Sequence, residues 1–438
     1  MTSTEDENKK INRRKDAYSK EARLIHGEME TPVWDYSHNV VPPLSANSTF
    51  RLDSSTRGNM GFLEYAQESA GETEGRPIFI YDRLEEPTAM MLENRLAEVE
   101  QGDAALVFAS GMAAISTLAL SLLKQGENIV SHPTLYGCTD SLFREWLPRW
   151  GIEARRVDMN DLEAVESACD DLTRLLYLET PLNPTLDLMD IDALSGLAKR
   201  LNENRSPETQ IRVAVDNTFQ TPWGQRPLSL GADIVAHSLT KGIAGFGTDT
   251  AGALVFGEDL KNDLLVARKD LGGMLSPRAT WHILTYGIST LGVRFQAQQS
   301  SAGEVAAYLE RHPKVSSVRW PGLESFPQKE LARRQMVDSD GAFCPGFMIY
   351  FTLKGACDDT IGQRFVDSVA EEAYAITLAV SLGNIRTLIE CPYSMTHACV
   401  PEDAKGSVSL TPGGIRLSVG LESPRDLIRD LSVALDTL

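Results

Sequence analysis

Residues 211–242 read IRVAVDNTFQTPWGQRPLSLGADIVAHSLTKG, and this stretch decides the fold. Two apolar runs within it, IRVAVDN (211–217) and ADIVAHSL (232–239), read as buried strands. The first closes on Asp216. The second runs into Ser238-Leu239-Thr240-Lys241-Gly242. Polar residues are therefore expected just where two neighbouring strands of one sheet come to an end.

Working outward, further strands read as ALVFAS (105–110), NIVSHP (128–133), EARRVD (153–158) and TRLLYLET (173–180). Helical stretches separate most of them. PTAMMLENRLAEVEQG places Leu92, Leu96 and Val99 on one stripe, with Pro87 at the start and Gly102 past the end. Gly111 opens MAAISTLALSLLK, and DIDALSGLAKRLNEN spans 190–204. Strands alternating with helices imply right-handed crossovers and a mostly parallel sheet, with ligands bound beyond the carboxyl ends of the strands. After about residue 290 the texture changes. A helix (SSAGEVAAYLERHP), two strands (GFMIYFTLKG and GGIRLSVGLE) and a terminal amphipathic helix (PRDLIRDLSVAL) predict a smaller α+β domain. The division expected is 1–83 as tail and arm, 84–288 as the large domain and 289–438 as the small one. Residues 1 to about 23 mix both charge signs and read as a mobile tail. Residues 24–83, with Pro32, Pro42, Pro43 and GETEGRP at 71–77, lack periodicity and are expected to wrap a partner subunit.

Composition excludes several classes. The 438 residues carry 42 Lys+Arg against 61 Asp+Glu, a formal charge of −19, and an acidic surface repels nucleic acid. No apolar run approaches the ~20 residues of a membrane helix, and the N-terminus has no apolar signal region. The six cysteines, with no C-x-x-C pair and only seven histidines, argue against structural zinc and fit a reducing cytoplasm.

Four features carry possible chemistry. Ser110-Gly111-Met112 places backbone N–H groups at a helix start, where phosphate binds; a plain strand-to-helix turn is the ordinary alternative. Asp216 could simply cap a turn, Lys241 could be a solvated loop residue, and Tyr136 of Tyr136-Gly137-Cys138 could be a loop aromatic packed on the core. Taken together they converge on one sheet edge in the order that a pyridoxal phosphate pocket requires: a lysine for the Schiff base, an acid for the pyridine nitrogen, and phosphate donors.

The sequence here resembles the Cys/Met-metabolism pyridoxal-phosphate enzymes, which include cystathionine γ-synthases, cystathionine γ-lyases, methionine γ-lyases and O-acetylhomoserine sulfhydrylases. The matching stretches are YDRLEEPT, ASGMAAI, LYGCT, ETPLNPT, VAVDNTF, HSLTKG, SLGNIRTLIECPYSMTH and GGIRLSVGLE, from Tyr81 onward. The resemblance implies the aspartate-aminotransferase-like type I fold, an α/β architecture with a large, mostly parallel sheet domain and a smaller C-terminal α+β domain. It implies a homotetramer of two catalytic dimers. Lys241 would hold the cofactor and shuttle protons, Asp216 would pair with the pyridine nitrogen, and Tyr136 would stack on the ring. Gly111, Met112, Ser238 and Thr240 would bind the phosphate, with Tyr81 and Arg83 reaching it from the neighbouring subunit. Asn183 and Arg416 would lie near the cofactor oxygen and substrate carboxylate, and Ser381 would orient Lys241 or that carboxylate. An arginine suits a carboxylate because its fork binds two oxygens at once.

The chain departs from the family pattern at Leu239 (usually small), Gly242 (usually bulkier), Phe246 (often His or Gln) and Asp82 (often Ser). None removes a reacting group. Cys138 and Val380 speak to the reaction. Methionine γ-lyases read Tyr-Gly-Cys-Thr at 136–139 where the cystathionine enzymes usually read Tyr-Gly-Gly-Thr. Cystathionine enzymes tend to carry Glu at 380, which meets a distal amine; Val380 suits a thioether. The expectation is γ-elimination on a sulfur amino acid, foremost L-methionine, giving methanethiol, 2-oxobutanoate and ammonia. Tyr136 would protonate the leaving thiolate, on condition that nearby cations and the cofactor phosphate tune its pKa below the free value of ~10. A cystathionine γ-lyase or γ-synthase, an O-acylhomoserine sulfhydrylase, and a non-catalytic cofactor-binding protein remain as alternatives.

Overall fold

A computed structural model describes residues 18–26, 40–65, 78–355, 358–395 and 410–438. Its larger sheet is built from β1 (Ala104–Phe108), β2 (Asn128–Ser131), β3 (Glu153–Arg156), β4 (Thr173–Glu179), β5 (Arg212–Asp216), β6 (Ile234–His237) and β7 (Gly252–Phe256), in the order β1-β7-β6-β5-β4-β2-β3. Strands β2 to β6 pair in parallel, and β7 runs antiparallel to both β1 and β6. The carboxyl ends of β1, β2, β4, β5 and β6 therefore share one edge. The sequence reading anticipated six of these strands. It missed β7, a short run, GALVF, that returns without a crossover helix and so lacks the alternation that marks the others.

Both faces of the sheet are covered, which is why its strands are nearly continuous in apolar residues. Ile129, Leu175, Tyr177 and Ala214 pack on one side, toward the helix Gly111–Leu122. Their neighbours Val130, Leu176, Leu178 and Val215 pack on the other, toward the helix Ile191–Asn202. The second sheet comprises β8 (Val315–Arg319), β9 (Met348–Leu353), β10 (Ile376–Leu378), β11 (Thr387–Glu390) and β12 (Gly414–Ser418), ordered β10-β11-β12-β9-β8. One continuous core, from Leu92 and Leu96 through Phe295 to Ile349, Ile389 and Leu427, joins the two sheets. Among the described residues no helix is long and apolar enough to cross a membrane.

The helix Pro87–Glu100 forms as the pattern predicts. Proline occupies its first turn, and the Glu86 carboxylate accepts from the Thr88 and Ala89 N–H groups. Leu92, Leu96 and Val99 are all buried.

The N-terminal segment differs from expectation. The charged stretch read as a mobile tail up to residue 23 carries a helix, Lys20–His26. Leu24 enters the core, and Arg95 closes the helix by donating to the carbonyls of Leu24 (2.8 Å), Ile25 (3.1 Å) and His26 (3.0 Å). Lys20 Nζ donates to the Trp223 carbonyl at 2.6 Å and lies 4.2 Å from the centre of that indole. With Leu24 as its single buried apolar side chain, so short a helix leaves no periodic trace. A second helix, Ser55–Tyr65, lies in the stretch read as aperiodic. The remainder of the expected tail and arm (1–17, 27–39 and 66–77, GETEGRP included) lies outside the described residues, as do Thr396 and His397 of the motif ending in SMTH.

Candidate active site

A cavity of about 440 Å³ opens at the carboxyl edge of the large sheet, where the second sheet meets it. Of the residues expected from sequence, Gly111, Met112, Tyr136, Asn183, Asp216, Ser238, Thr240, Lys241, Val380, Ser381 and Arg416 line it. Tyr81, Arg83 and Cys138 do not. Cys138 lies next to the lining, its thiol donating to the Tyr136 hydroxyl oxygen at 3.6 Å. Arg83 Nη1 donates to the Lys269 carbonyl at 2.9 Å, and its guanidinium carbon lies 5.5 Å from the Tyr81 ring centre. Tyr81 pairs with Thr49 in an isolated antiparallel bridge.

Strand ends place the groups. Asp216 terminates β5, and its Oδ1 accepts from the Thr218 N–H at 2.9 Å. The Tyr177 hydroxyl donates to Oδ2 at 3.5 Å. Burial raises the Asp216 carboxyl above its ordinary range. Beneath it, Asn217 is locked by bonds to Glu100 (3.0 Å) and to the Gln225 carbonyl (2.8 Å), and Glu100 also meets His237 at 2.5 Å. After β6, Lys241 points its Nζ at the Ser381 hydroxyl, 2.6 Å away. Burial, helped by the Arg416 charge, lowers the Lys241 pKa to about 8. Ser381 itself sits at φ 84°, the left-handed region that side chains avoid.

Arg416, on β12, is almost fully buried. It pairs with Glu390 of β11 at 3.1 Å, donates to Asn183 Oδ1 at 3.0 Å, and donates to the Ser381 carbonyl at 2.8 Å. Burial lowers its pKa too. Glu179, the last residue of β4, was overlooked as a site residue although it opens the ETPLNPT motif. Both its carboxylate oxygens accept from the Tyr136 backbone N–H, at 2.9 and 3.0 Å, and it stands in register beside Asp216. Burial and the Asp216 charge push its pKa well up.

The condition set for Tyr136 as the acid was that nearby cations and the cofactor phosphate draw its pKa below the free value. This chain's own residues do not meet it: burial, with the Cys138 contact, pushes the pKa up to about 12, and the Arg416 charge opposes this too weakly to reverse it.

The donor set fits a phosphorylated pyridine ring. The helix Gly111–Leu122 begins at the cavity, and its cap, the Ser110 hydroxyl, takes only the Ala113 N–H. Gly111 and Met112, at that helix start, line the same space as Ser238 and Thr240, the Thr240 hydroxyl being held by the Ala251 N–H (2.9 Å) and carbonyl (3.2 Å). Backbones crowd together here: a Cβ on Gly252 would lie 2.3 Å from the Ser110 carbonyl oxygen. The acid Asp216 lines the same cavity, and Lys241 supplies a primary amine.

The departures from the family pattern are accommodated. Leu239 is fully buried in the core. A side chain on Gly242 would press on Thr221 Cγ2 (3.0 Å) and Phe347 Cζ (3.4 Å), which already fill that space. Phe246 lies 5.5 Å from the guanidinium carbon of Arg294.

Residues 21–436 match the family described as Cys/Met metabolism PLP-dependent enzyme. An L-methionine gamma-lyase from Fusobacterium nucleatum subsp. polymorphum is 40% identical over 398 residues, covering 90% of this chain and 93% of that protein. A cystathionine gamma-lyase from Bacillus subtilis (strain 168) is 37% identical over 376 residues, covering 85% and 92%. The crystal structure of cystathionine gamma-lyase from Lactobacillus plantarum, complexed with L-serine, superimposes with a TM-score of 0.81 at 32% identity, covering 96% of this chain and 99% of that one. The chain belongs to the Cys/Met metabolism PLP-dependent enzyme family, with the α/β fold of its solved relatives. It is a PLP-dependent lyase resembling the methionine γ-lyases, of a family whose chemistry fits a small-molecule amino-acid substrate.

Proposed function

We propose that this member of the family catalyses γ-elimination on L-methionine, releasing methanethiol, 2-oxobutanoate and ammonia. The observation that carries this reading is the lining around Val380. Val380 and Leu382 present an apolar wall, and the carboxylates of the lining, Glu179 and Asp216, are buried and already hydrogen-bonded. A thioether methyl is at home against such a wall. The distal ammonium of cystathionine would lose its hydration without gaining a carboxylate among the described lining residues, which is costly.

Bound pyridoxal phosphate supplies the electron sink for carbanion chemistry. The chain's residues do the rest. Asp216 holds a proton at the ring nitrogen. Gly111, Met112, Ser238 and Thr240 bind the phosphate, and Asn183 faces the ring oxygen. The Arg416 fork, steadied by Asn183 and the Ser381 carbonyl, binds the substrate carboxylate. Lys241 removes the Cα proton as a neutral amine, a state its lowered pKa makes accessible near neutrality, and a Cβ proton must be lost in turn before the γ-sulfur departs. Tyr136, its backbone N–H held by Glu179 and its hydroxyl accepting from the Cys138 thiol, donates to the departing sulfur, and full proton transfer requires that the assembled, cofactor-loaded site lower its pKa from the value of about 12 that it has in the single chain.

The same reading includes a homotetramer of catalytic dimers in which Tyr81 and Arg83 complete the partner's phosphate site. It is supported by the position of both residues away from their own chain's cavity lining. It also includes the division at 83/84 and 288/289, and a cytoplasmic setting, which the free state of Cys138, Cys169, Cys344 and Cys391 favours. Incubation with methionine, with cystathionine, and with O-acetylhomoserine plus sulfide, measuring 2-oxobutanoate, methanethiol and homocysteine, tests the substrate. Faster 2-oxobutanoate formation from cystathionine than from methionine would overturn it.

A further inference from the structure

Behind Lys241, on the side away from the cavity, lies a cation that the chemistry above does not use. Arg294 is 4% exposed, on the first turn of the helix Leu291–Arg311. Its Nη1 donates to the Gly242 carbonyl at 2.7 Å, and its Nη2 to the carbonyls of Ile243 at 2.9 Å and Gly287 at 2.6 Å. Its Nε donates to Thr290 Oγ1 at 2.9 Å. Four of the five guanidinium N–H groups are thus satisfied without a carboxylate. Among the described residues no acid pairs with Arg294, and burial alone lowers its pKa to about 10, so it stays charged near neutrality.

A buried cation without a counterion is an expensive way to hold a loop together. What distinguishes this loop is its content. Gly242 and Ile243 are the two residues directly after Lys241. On the opposite side Gly383 presses against the same backbone: a Cβ there would fall 2.4 Å from the Gly242 nitrogen and 2.9 Å from the Lys241 carbonyl carbon. The guanidinium lies flat on Gly245, where a Cβ would fall 2.1 Å from Nη1. The Gly245 carbonyl in turn accepts from the Ile385 N–H at 2.8 Å, in the segment that carries Ser381. The Phe246 ring lies beside the guanidinium and offers its π face to the charge.

We propose that Arg294 is a positioning residue for Lys241: it clamps the Gly242 and Ile243 carbonyls so that the lysine amine meets Ser381 and the reacting carbon in one fixed place. This rests on the reading of Lys241 as the cofactor lysine. A clamp differs from a mere packing residue in what it disturbs when lost. Displacing the loop moves the amine relative to Ser381 and Arg416, and so alters both its reactivity and its titration. Substrate binding, which belongs to Arg416, is left largely alone.

The test uses purified holoenzyme with Arg294→Lys, which keeps the charge but not the fork. Thr290→Val removes one acceptor with little disturbance and serves if the first variant fails to fold. Leu309→Ala is the comparison, a cavity in the same helix away from the loop. In Arg294→Lys we expect kcat to fall by about tenfold to 100-fold, KM to stay within about twofold of the parent, and the pH midpoint of the bound cofactor's visible band to move. Thr290→Val should show the same changes, smaller. Leu309→Ala should lower Tm without moving that midpoint. An unmoved midpoint in both Arg294→Lys and Thr290→Val, or losses that only track Tm as in Leu309→Ala, would overturn the proposal. Retention of the visible band in Lys241→Ala would instead show that the underlying lysine assignment is wrong.

Discussion

Lys241 and Ser381, 140 positions apart, meet through a 2.6 Å hydrogen bond across the junction of the two sheets. The lysine comes from the loop after β6. The serine comes from a turn between β10 and β11 that is held in the left-handed region. Such strain persists only where surrounding contacts over-determine it. Here the Arg416 bond to the Ser381 carbonyl and the Gly383 N–H bond to Ser418 Oγ, each 2.8 Å, do so.

Lys241→Ala should abolish the visible absorbance of the bound cofactor and the elimination reaction together. A purified variant that kept both the band and a normal rate would refute the assignment of this lysine.

The lowered pKa of Lys241 predicts how apoenzyme takes up pyridoxal phosphate. The neutral amine is the reactive form, and its fraction grows as pH rises. The rate of cofactor uptake should therefore increase through about pH 8 and level off above it. A free lysine would keep gaining up to ~10.4. Stopped-flow absorbance against pH reads the midpoint; a midpoint near that of free lysine would mean the amine is not buried in solution.

Arg83→Ala should weaken cofactor retention by ~1.5–3 kcal/mol, the worth of one charge-assisted hydrogen bond, if the arm serves the partner's phosphate. Equilibrium dialysis of pyridoxal phosphate against the intact oligomer measures it. Unchanged affinity would show that the arm does not reach the phosphate.

Val380→Glu should lower kcat/KM for methionine and raise it for cystathionine. A carboxylate beside the thioether methyl is desolvated without a partner, whereas the distal ammonium of cystathionine would provide one. Parallel losses would signal misfolding, and no change for either would remove position 380 from the substrate pocket.

The larger sheet was legible because most of its crossover strands, β3 excepted, are short apolar runs, and the reacting groups follow their ends: Asp216 closes β5, while Lys241 and Tyr136 lie in the loops after β6 and β2. β7 escaped because it returns directly, leaving no helix to frame it. Glu179 escaped as a site residue because only the fold shows that it stands beside Asp216 and holds the Tyr136 backbone. Arg294 escaped for a related reason. Three of its four acceptors are backbone carbonyls 7–52 positions away, and a carbonyl looks the same in every residue. The burial that raises the Tyr136 pKa within this chain was not legible, because sequence reveals neighbouring charges more readily than burial.

The helix Lys20–His26 has a consequence for how the chain is made. It leaves the ribosome before each of its supports: Arg95 follows first, then Trp223, then Ile288–Thr290, against which it packs. During synthesis it waits for these supports to follow, and its bond to the Trp223 carbonyl closes a loop of 203 positions. Nascent chains arrested before residue 223 should lose Lys20–His26 to brief trypsin treatment, and chains released at full length should protect it. Equal protection at both lengths would mean that the helix is held from the outset by Arg95 alone.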